Sequence, residues 1–245
     1  MTRTALAAFA VLVLGAAPNG AAAGGRPGFV ATVKATRPLA YFRFETTKGA
    51  SAVGTATYVP RGGLAISAPG APVGAAENHA AYFNGKDAEV VTTQKGGVGS
   101  AGSMMAWVYL DQLPSKAGRV FYVAGESESG NDFDLQFEGG NALFFYTLDG
   151  PHASYVPNPA SLLKHWHMIV ATFDATHTSR AIYWDGKPVV VQRDAQNKAA
   201  KRAVFTIGES SIFPGRWFEG EIDEVALWNR ALSPKEVAGI YGAAR

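Results

Sequence analysis

Four groups of residues in this chain have types and spacings that could do chemistry. The first is Asp223-Glu224, two carboxylates inside the apolar run Ile222–Trp228. Adjacent acids of this kind can hold a hard cation or a basic side chain. The second is the run Asp132, Asp134, Gln136, Glu138, whose period of two puts the side chains on one face of a strand. Paired acids on one strand face could flank a glycosidic bond as nucleophile and acid/base. The third is His165-Trp166-His167, two imidazoles at a spacing that can chelate Zn²⁺, with His152 as a distant loop histidine. The fourth is a set of loop aromatics and polar groups suited to stacking on sugar rings and hydrogen-bonding their hydroxyls. These are Asp149, His152, Tyr155 and Asn158 in "DGPHASYVPN", and Phe213, Arg216 and Trp217 in "SSIFPGRWFEG". Asp149, His152, Tyr155, Arg216 and Trp217 are the candidate ligand-binding residues.

The elements that must position these groups read as strands. Apolar, aromatic and β-branched runs recur at 39–45, 79–85, 88–93, 104–110, 119–125, 133–139, 142–148, 166–174, 180–186, 188–192, 203–209 and 221–229. Turn residues separate them: Asn84-Gly85, Gly139-Gly140-Asn141 and Asp185-Gly186, the last a strong signal for a two-residue hairpin. In "FDLQFEG", Phe133, Leu135 and Phe137 alternate with Asp134, Gln136 and Glu138, which predicts a strand with one buried and one exposed face. Trp107, Trp166 and Trp228 fall in such strands and are expected in the core. One helix is predicted, at the C-terminal end. Ser233 is its N-cap, Pro234 follows, Glu236 completes a capping box, and Val237, Ile240 and Tyr241 form an apolar stripe. Regular short strands without a strand–helix–strand rhythm indicate an all-β sandwich or jelly roll of two antiparallel sheets.

Composition narrows the function classes. There is no cysteine, which excludes disulfides, thiol catalysis and thiolate metal sites. The formal net charge is only +2, and no basic stripe is visible, so nucleic acid is not an expected partner. Residues 1–23 read as a secretory signal peptide: Arg3, the apolar "ALAAFAVLVLGAA", then the small residues Ala21–Ala23. No later stretch is long and apolar enough for membrane insertion, so the expected location is secreted, periplasmic or extracellular. Residues 24–36 form an N-terminal segment and 37–245 the domain. No Ser-His-Asp constellation or phosphate loop can be made out, and "GGVGSAG" at 96–102 lacks the lysine and helix of a phosphate loop.

The segment "FEGEIDEVALWNRALSPKEVAGIY" resembles the C-terminal signature of concanavalin A-like, laminin G-like jelly-roll domains. "RPLAYFRFE", "AAYFNGKDAEVV" and "HWHMIVATFD" with "RAIYWDGKPV" are similar to that family's opening strand, early hairpin and central strands. The resemblance covers about residues 37–242. It implies a structural Ca²⁺ held by Asp223, by Glu45 and by carbonyls near Asn84 and Gly85. Asn84 stands where the family often has Asp, which makes the set less anionic. Related glycosidases on this fold carry Glu at the nucleophile position of the strand motif, where this chain has Asp, and Gln136 stands where an acid is needed. The expected function is therefore a secreted, non-catalytic binding module for a glycan or an extracellular protein. A glycoside hydrolase-like enzyme and a purely structural cell-surface component are the alternatives.

Overall fold

The computed structural model describes residues 28–67, 69–74, 77–126, 133–147, 152–193 and 203–245. The chain opens with α1 (Phe29–Ala35), followed by β1 (Ala40–Phe42), β2 (Gly49–Ala50), β3 (Thr57–Arg61), β4 (Ala65–Ser67), β5 (Ala80–Asn84), β6 (Glu89–Lys95) and β7 (Ala101–Leu110). Next come α2 (Pro114–Ala117), β8 (Phe121–Glu126), β9 (Phe133–Glu138), β10 (Ala142–Thr147), β11 (Ala153–Tyr155) and α3 (Pro159–Leu162). Last are β12 (His167–Asp174), β13 (Ser179–Trp184), β14 (Lys187–Gln192), β15 (Val204–Ile207), β16 (Glu219–Trp228) and α4 (Pro234–Gly242). The strands form two eight-stranded sheets with every pairing antiparallel. The first runs β14-β13-β12-β7-β16-β5-β4, with β1 also on β16; the second runs β11-β10-β9-β8-β15-β6-β3-β2.

Period-2 alternation sorts side chains between two apolar layers. One layer fills the space between the sheets: Met104, Ala106, Val108 and Leu110 of β7 meet Phe121, Leu135, Phe145 and Phe205 from the opposite sheet. The other lies on the outer side of the first sheet, where Met105, Trp107, Ala226 and Trp228 pack under Phe29 and Val33 of α1 and Val237 and Ile240 of α4. The capping box of α4 is present as expected, and its Tyr241 ring stacks on Trp107 at 6.0 Å. Within the N-terminal segment, residues 29–35 form a helix, and its C-cap Thr36 accepts the Trp228 indole N–H at 3.0 Å. The Asp185-Gly186 turn has positive φ at both residues, as a primed two-residue hairpin requires.

Short strands were missed in sequence. β2, β3, β4 and β11 have two to five residues and no clear alternation, and they exist because longer neighbours offer them an edge. One tryptophan also differs from expectation. Trp166 precedes β12 and is half-exposed rather than core, while Trp184 turns inward. The strand face of Asp134 and Gln136 is not solvent-exposed: both are buried. Tyr122 and Arg216 lie against them, so the alternation separates an apolar interior from a covered polar layer.

His167 is engaged at both ring nitrogens. Nδ1 lies 2.8 Å from Asp185 Oδ2 and Nε2 lies 2.7 Å from the Ser161 carbonyl. A carboxylate and a carbonyl only accept, so both nitrogens donate and the ring is an imidazolium. Burial opposes that charge, but the bonds to Asp185 and Ser161 outweigh it and hold the pKa above the ordinary 6.5. His165 is exposed, with Nδ1 at the Leu163 carbonyl, so the pair makes no chelate here. A group whose folded pKa is raised stabilises fully below its unfolded value and loses that contribution as pH rises through the folded value. Urea midpoints should therefore fall as pH rises above about 6.5, and His167→Gln should flatten that dependence. An unchanged profile in the variant would contradict the imidazolium assignment.

Candidate functional site

The paired acids of the last strand sit at a three-strand junction. Glu219–Ile222 of β16 pair with β5, and Val225–Leu227 pair with β1. Between them the register against β7 slips from Asp223 to Ala226, and Glu224 takes φ 51°. This is a β-bulge with one residue in the left-handed region. The inserted residue lets Ile222 and Val225 both face the core with two residues between them, so both acids lie off the core face.

Neither acid is exposed, and each is satisfied. Asp223 Oδ2 accepts from the Ala71 N–H at 3.0 Å and from Asn78 Nδ2 at 2.6 Å, while Oδ1 accepts the Glu224 N–H at 2.7 Å. Glu224 accepts from the Tyr41 hydroxyl and from Arg43 Nε at 3.1 Å. Arg43 also reaches Asn78 Oδ1 at 3.1 Å and Glu45 Oε1 at 2.7 Å. Burial pushes Asp223 up to about 7 despite its three donors, and burial raises Glu224 well above the usual carboxylate range.

The expected calcium ligands do not form one cage in this arrangement. Asp223 and Glu45 meet at the junction, the latter also taking the His79 N–H at 3.3 Å. Asn84 pairs opposite Glu219, four residues along β16 from Asp223, or about 13 Å. Its Oδ1 already accepts the N–H groups of Lys86, Asp87 and Ala88, and Gly85 serves the turn with φ 71°. Among the described residues no three His, Cys, Asp or Glu side chains are grouped to hold a metal. The Arg43 guanidinium brings a positive charge to this junction.

The outer face of the second sheet collects other residues. Tyr122 donates to Asp134 at 3.0 Å, Tyr146 donates to Glu138 at 2.6 Å, and Gln136 Nε2 donates to Glu138 at 2.8 Å. Burial and Glu138 hold the Tyr146 hydroxyl well above its ordinary pKa. Arg216 donates to Gln136 Oε1 at 2.9 Å and lies 4.0 Å over the Phe213 ring. His152 sits 4.8 Å from Phe144 and 5.2 Å from Tyr146, at the other end of the same polar layer. Asp134, Gln136 and Glu138 are thus tied into a network rather than presented to a substrate. Asp132 and Asp149 lie outside the described residues. Tyr155 is opposite Leu143 on the core side and packs against Trp184 at 5.6 Å, away from His152 and Arg216.

Beside Arg216, this face opens into a pocket of about 350 Å³. Arg61, Glu89, Glu209, Ser210, Ser211 and Trp217 contribute to its lining. Glu209 is only 4 % exposed. Its Oε1 accepts the Arg216 N–H at 3.3 Å and its Oε2 has no hydrogen-bond partner. Burial raises it to about 7, so near neutral pH it can donate a proton to a ligand oxygen as well as accept one. Burial also raises Glu89, with the Arg61 guanidinium 3.6 Å away pulling the other way. Sequence reading found Trp217 but not Glu89, Glu209 or Arg61. These come together only because β15 pairs with β6 and β6 with β3, across long stretches of chain. The available hint was Glu89 alternating with the apolar Val90 in a strand run.

The sequence profile of the laminin G-type concanavalin A-like lectin/glucanases superfamily matches residues 83–238. The chain belongs to that superfamily. Among curated proteins, C-reactive protein of Sus scrofa is 25% identical over 114 residues, covering 44% of this chain and 50% of the relative. This chain therefore matches about half the length of that protein. Among solved structures, domain 4 of the extracellular arabinanase AbnA from Geobacillus stearothermophilus, in complex with arabinotriose, has a TM-score of 0.61 at 16% identity. That match covers 83% of this chain and 97% of the other. The receptor-binding domain of botulinum neurotoxin C/D has a TM-score of 0.65 at 8% identity, covering 84% of this chain and 51% of that one. The binding domain of botulinum neurotoxin DC, in complex with rat synaptotagmin II, has a TM-score of 0.64 at 10% identity, covering 86% and 52%. At these identities the likeness establishes the jelly-roll fold, two antiparallel sheets with a C-terminal helix.

The junction makes its own prediction. Arg43→Met leaves Glu224 buried without its cation and should lower stability by about 3 kcal/mol. Adding Glu224→Gln should recover part of that loss, as coupled partners do. Urea unfolding of the two single variants and the double variant measures the coupling. Strictly additive losses would contradict the network.

Proposed function

We propose that this protein is a secreted, non-catalytic glycan-binding module whose site is the pocket around Trp217 on the outer face of the second sheet. One observation carries the reading: Trp217 is half-exposed in a pocket whose polar lining is Arg61, Glu89, Glu209, Ser210 and Ser211. An indole face takes the apolar face of a sugar ring. The surrounding carboxyls, hydroxyls and guanidinium supply both donors and acceptors for ring hydroxyls, the pattern of a small-molecule site. Arg216 holds Glu209 through its backbone N–H, while its side chain bonds Gln136. His152 lies further along the same face, where a longer chain would extend.

The solved relatives support a binding role by analogy, since one domain was captured with arabinotriose and another with synaptotagmin II. Secretion rests on the leader-like residues 1–23. No described helix is long and apolar enough to cross a membrane. Calcium supplies no step in this reading. Its test is the melting temperature with Ca²⁺ and with EDTA, in the parent and in Asp223→Ala. A Ca²⁺-dependent rise lost in the variant would restore the ion to Asp223 and Glu45.

Glu209 also favours a second reading. A carboxyl held near 7 suits a general acid, and Glu89 is a second acid in the same pocket. Turnover of an oligosaccharide that is lost in Glu209→Gln would establish hydrolysis.

The binding reading predicts saturable binding of arabinotriose, or of soluble gluco- or xylo-oligosaccharides, by calorimetry. Trp217→Ala should weaken it about tenfold while leaving the circular dichroism unchanged. Equal binding by parent and variant would move the site elsewhere. Binding of an extracellular protein with no response to any oligosaccharide would replace the glycan by a protein partner.

A further inference from the structure

The first sheet carries a rank of aromatic side chains that the helices leave uncovered. β-strand registry aligns Tyr82 of β5 with Glu221 of β16, and Glu221 with Tyr109 of β7. The β7–β12 pairing sets Val108 opposite His167, which places Tyr109 beside Trp166 one residue before β12. The rings of Tyr109 and Trp166 are 5.6 Å apart and tilted by 51°. All four side chains are on the outer face, because their neighbours Ala81, Phe83, Ile222, Val108 and Leu110 point into the core. All four are half-exposed. The next rank on that face, with Trp107 and Met105, is covered by Phe29 and Tyr241. The covering therefore stops one rank short.

Polar groups are interleaved with the rings. Burial raises the pKa of Glu221, with the nearby Asp111 charge adding to the rise and Ser67 opposing it. The Tyr82 hydroxyl has its pKa raised by burial and by the acids around it, Asp111, Glu219 and Glu221. At one end Trp166 also lines a hollow of about 730 Å³ with Pro69, Pro72 and His79.

We infer that this rank is a second carbohydrate site, on the opposite sheet from the Trp217 pocket, for a single soluble oligosaccharide chain. From Tyr82 to Trp166 is three strand spacings, about 14 Å, enough for about three sugar rings. Aromatic faces with a carboxylate between Tyr82 and Tyr109 match the mixture of apolar ring faces and hydroxyl edges along such a chain. The tilt between Tyr109 and Trp166 makes a twisted track rather than a flat strip. A single chain can follow it, whereas a crystalline polysaccharide surface requires coplanar rings. The two sites lie on opposite faces of the sandwich, so one module could bridge two chains.

The test is calorimetric titration of the full chain with cellohexaose, xylohexaose and arabinohexaose, against the corresponding disaccharides. The inference predicts two binding sites per chain for at least one hexasaccharide. Trp166→Ala or Tyr109→Ala should leave one site, and Trp217→Ala should leave the other. Glu221→Gln, which preserves shape, should weaken the Trp166 site alone, and disaccharides should bind that site about tenfold more weakly than hexasaccharides. One site abolished by Trp217→Ala and untouched by Trp166→Ala, Tyr109→Ala and Glu221→Gln would overturn the inference and leave the Trp217 pocket standing. One site abolished by Trp166→Ala alone would do the reverse. No binding of any hexasaccharide would overturn both.

Discussion

The arrangement of this domain turns on two carboxylates buried in the last strand. A buried, unpaired acid is costly, and two adjacent ones more so. The chain meets that cost by converging three separate pieces on the bulge at Asp223-Glu224: Tyr41 and Arg43 from the opening strand, Ala71 and Asn78 from the loop before β5, and the backbone of the bulge itself. The constraint has architectural consequences. It fixes where β16 exchanges β5 for β1 as its partner. It keeps Ile222 and Val225 in the core on either side of the insertion. It also anchors the loop whose Ala71 and Val73 join the apolar layer beneath the helices.

From that junction the two outer faces diverge. On the first sheet, Trp107, Met105, Ala226 and Trp228 are too apolar to remain open, and α1 and α4 cover them. Toward the far end of the same strands the residues become Tyr109, Glu221 and Tyr82, which tolerate water on one edge, and the helical cover ends there. On the second sheet no helix is required. Its outward residues carry hydroxyls, amides and charges that satisfy one another along β9, β10 and the segment at Arg216. Where that mutual satisfaction gives out, at Glu209, the pocket begins.

Much of the fold was legible in the sequence because it is local. Alternation in β9, the Asp185-Gly186 turn and the capping box at Ser233 and Glu236 each depend on a few consecutive residues. The C-terminal signature added the family. The site was less legible because it depends on pairing at long sequence separation. Glu89 and Glu209 are 120 positions apart and share a pocket only through the β6–β15 ladder. Tyr155 and Trp217 looked alike as loop aromatics, but the β10–β11 register turns Tyr155 toward the core. The alternating acids at 134 and 138 suggested an exposed polar face. Nothing local revealed that Tyr122, Tyr146 and Arg216 would lie against them.

The central claim is that half-exposed tryptophans, not core ones, meet the ligand. The chain has five tryptophans, so its indole N–H signals can be followed individually by NMR during titration with a soluble oligosaccharide. The account predicts that the Trp217 and Trp166 signals move saturably with added sugar, while those of Trp107, Trp184 and Trp228 stay fixed. Shifts confined to the three buried indoles, or none at any of the five, would contradict it.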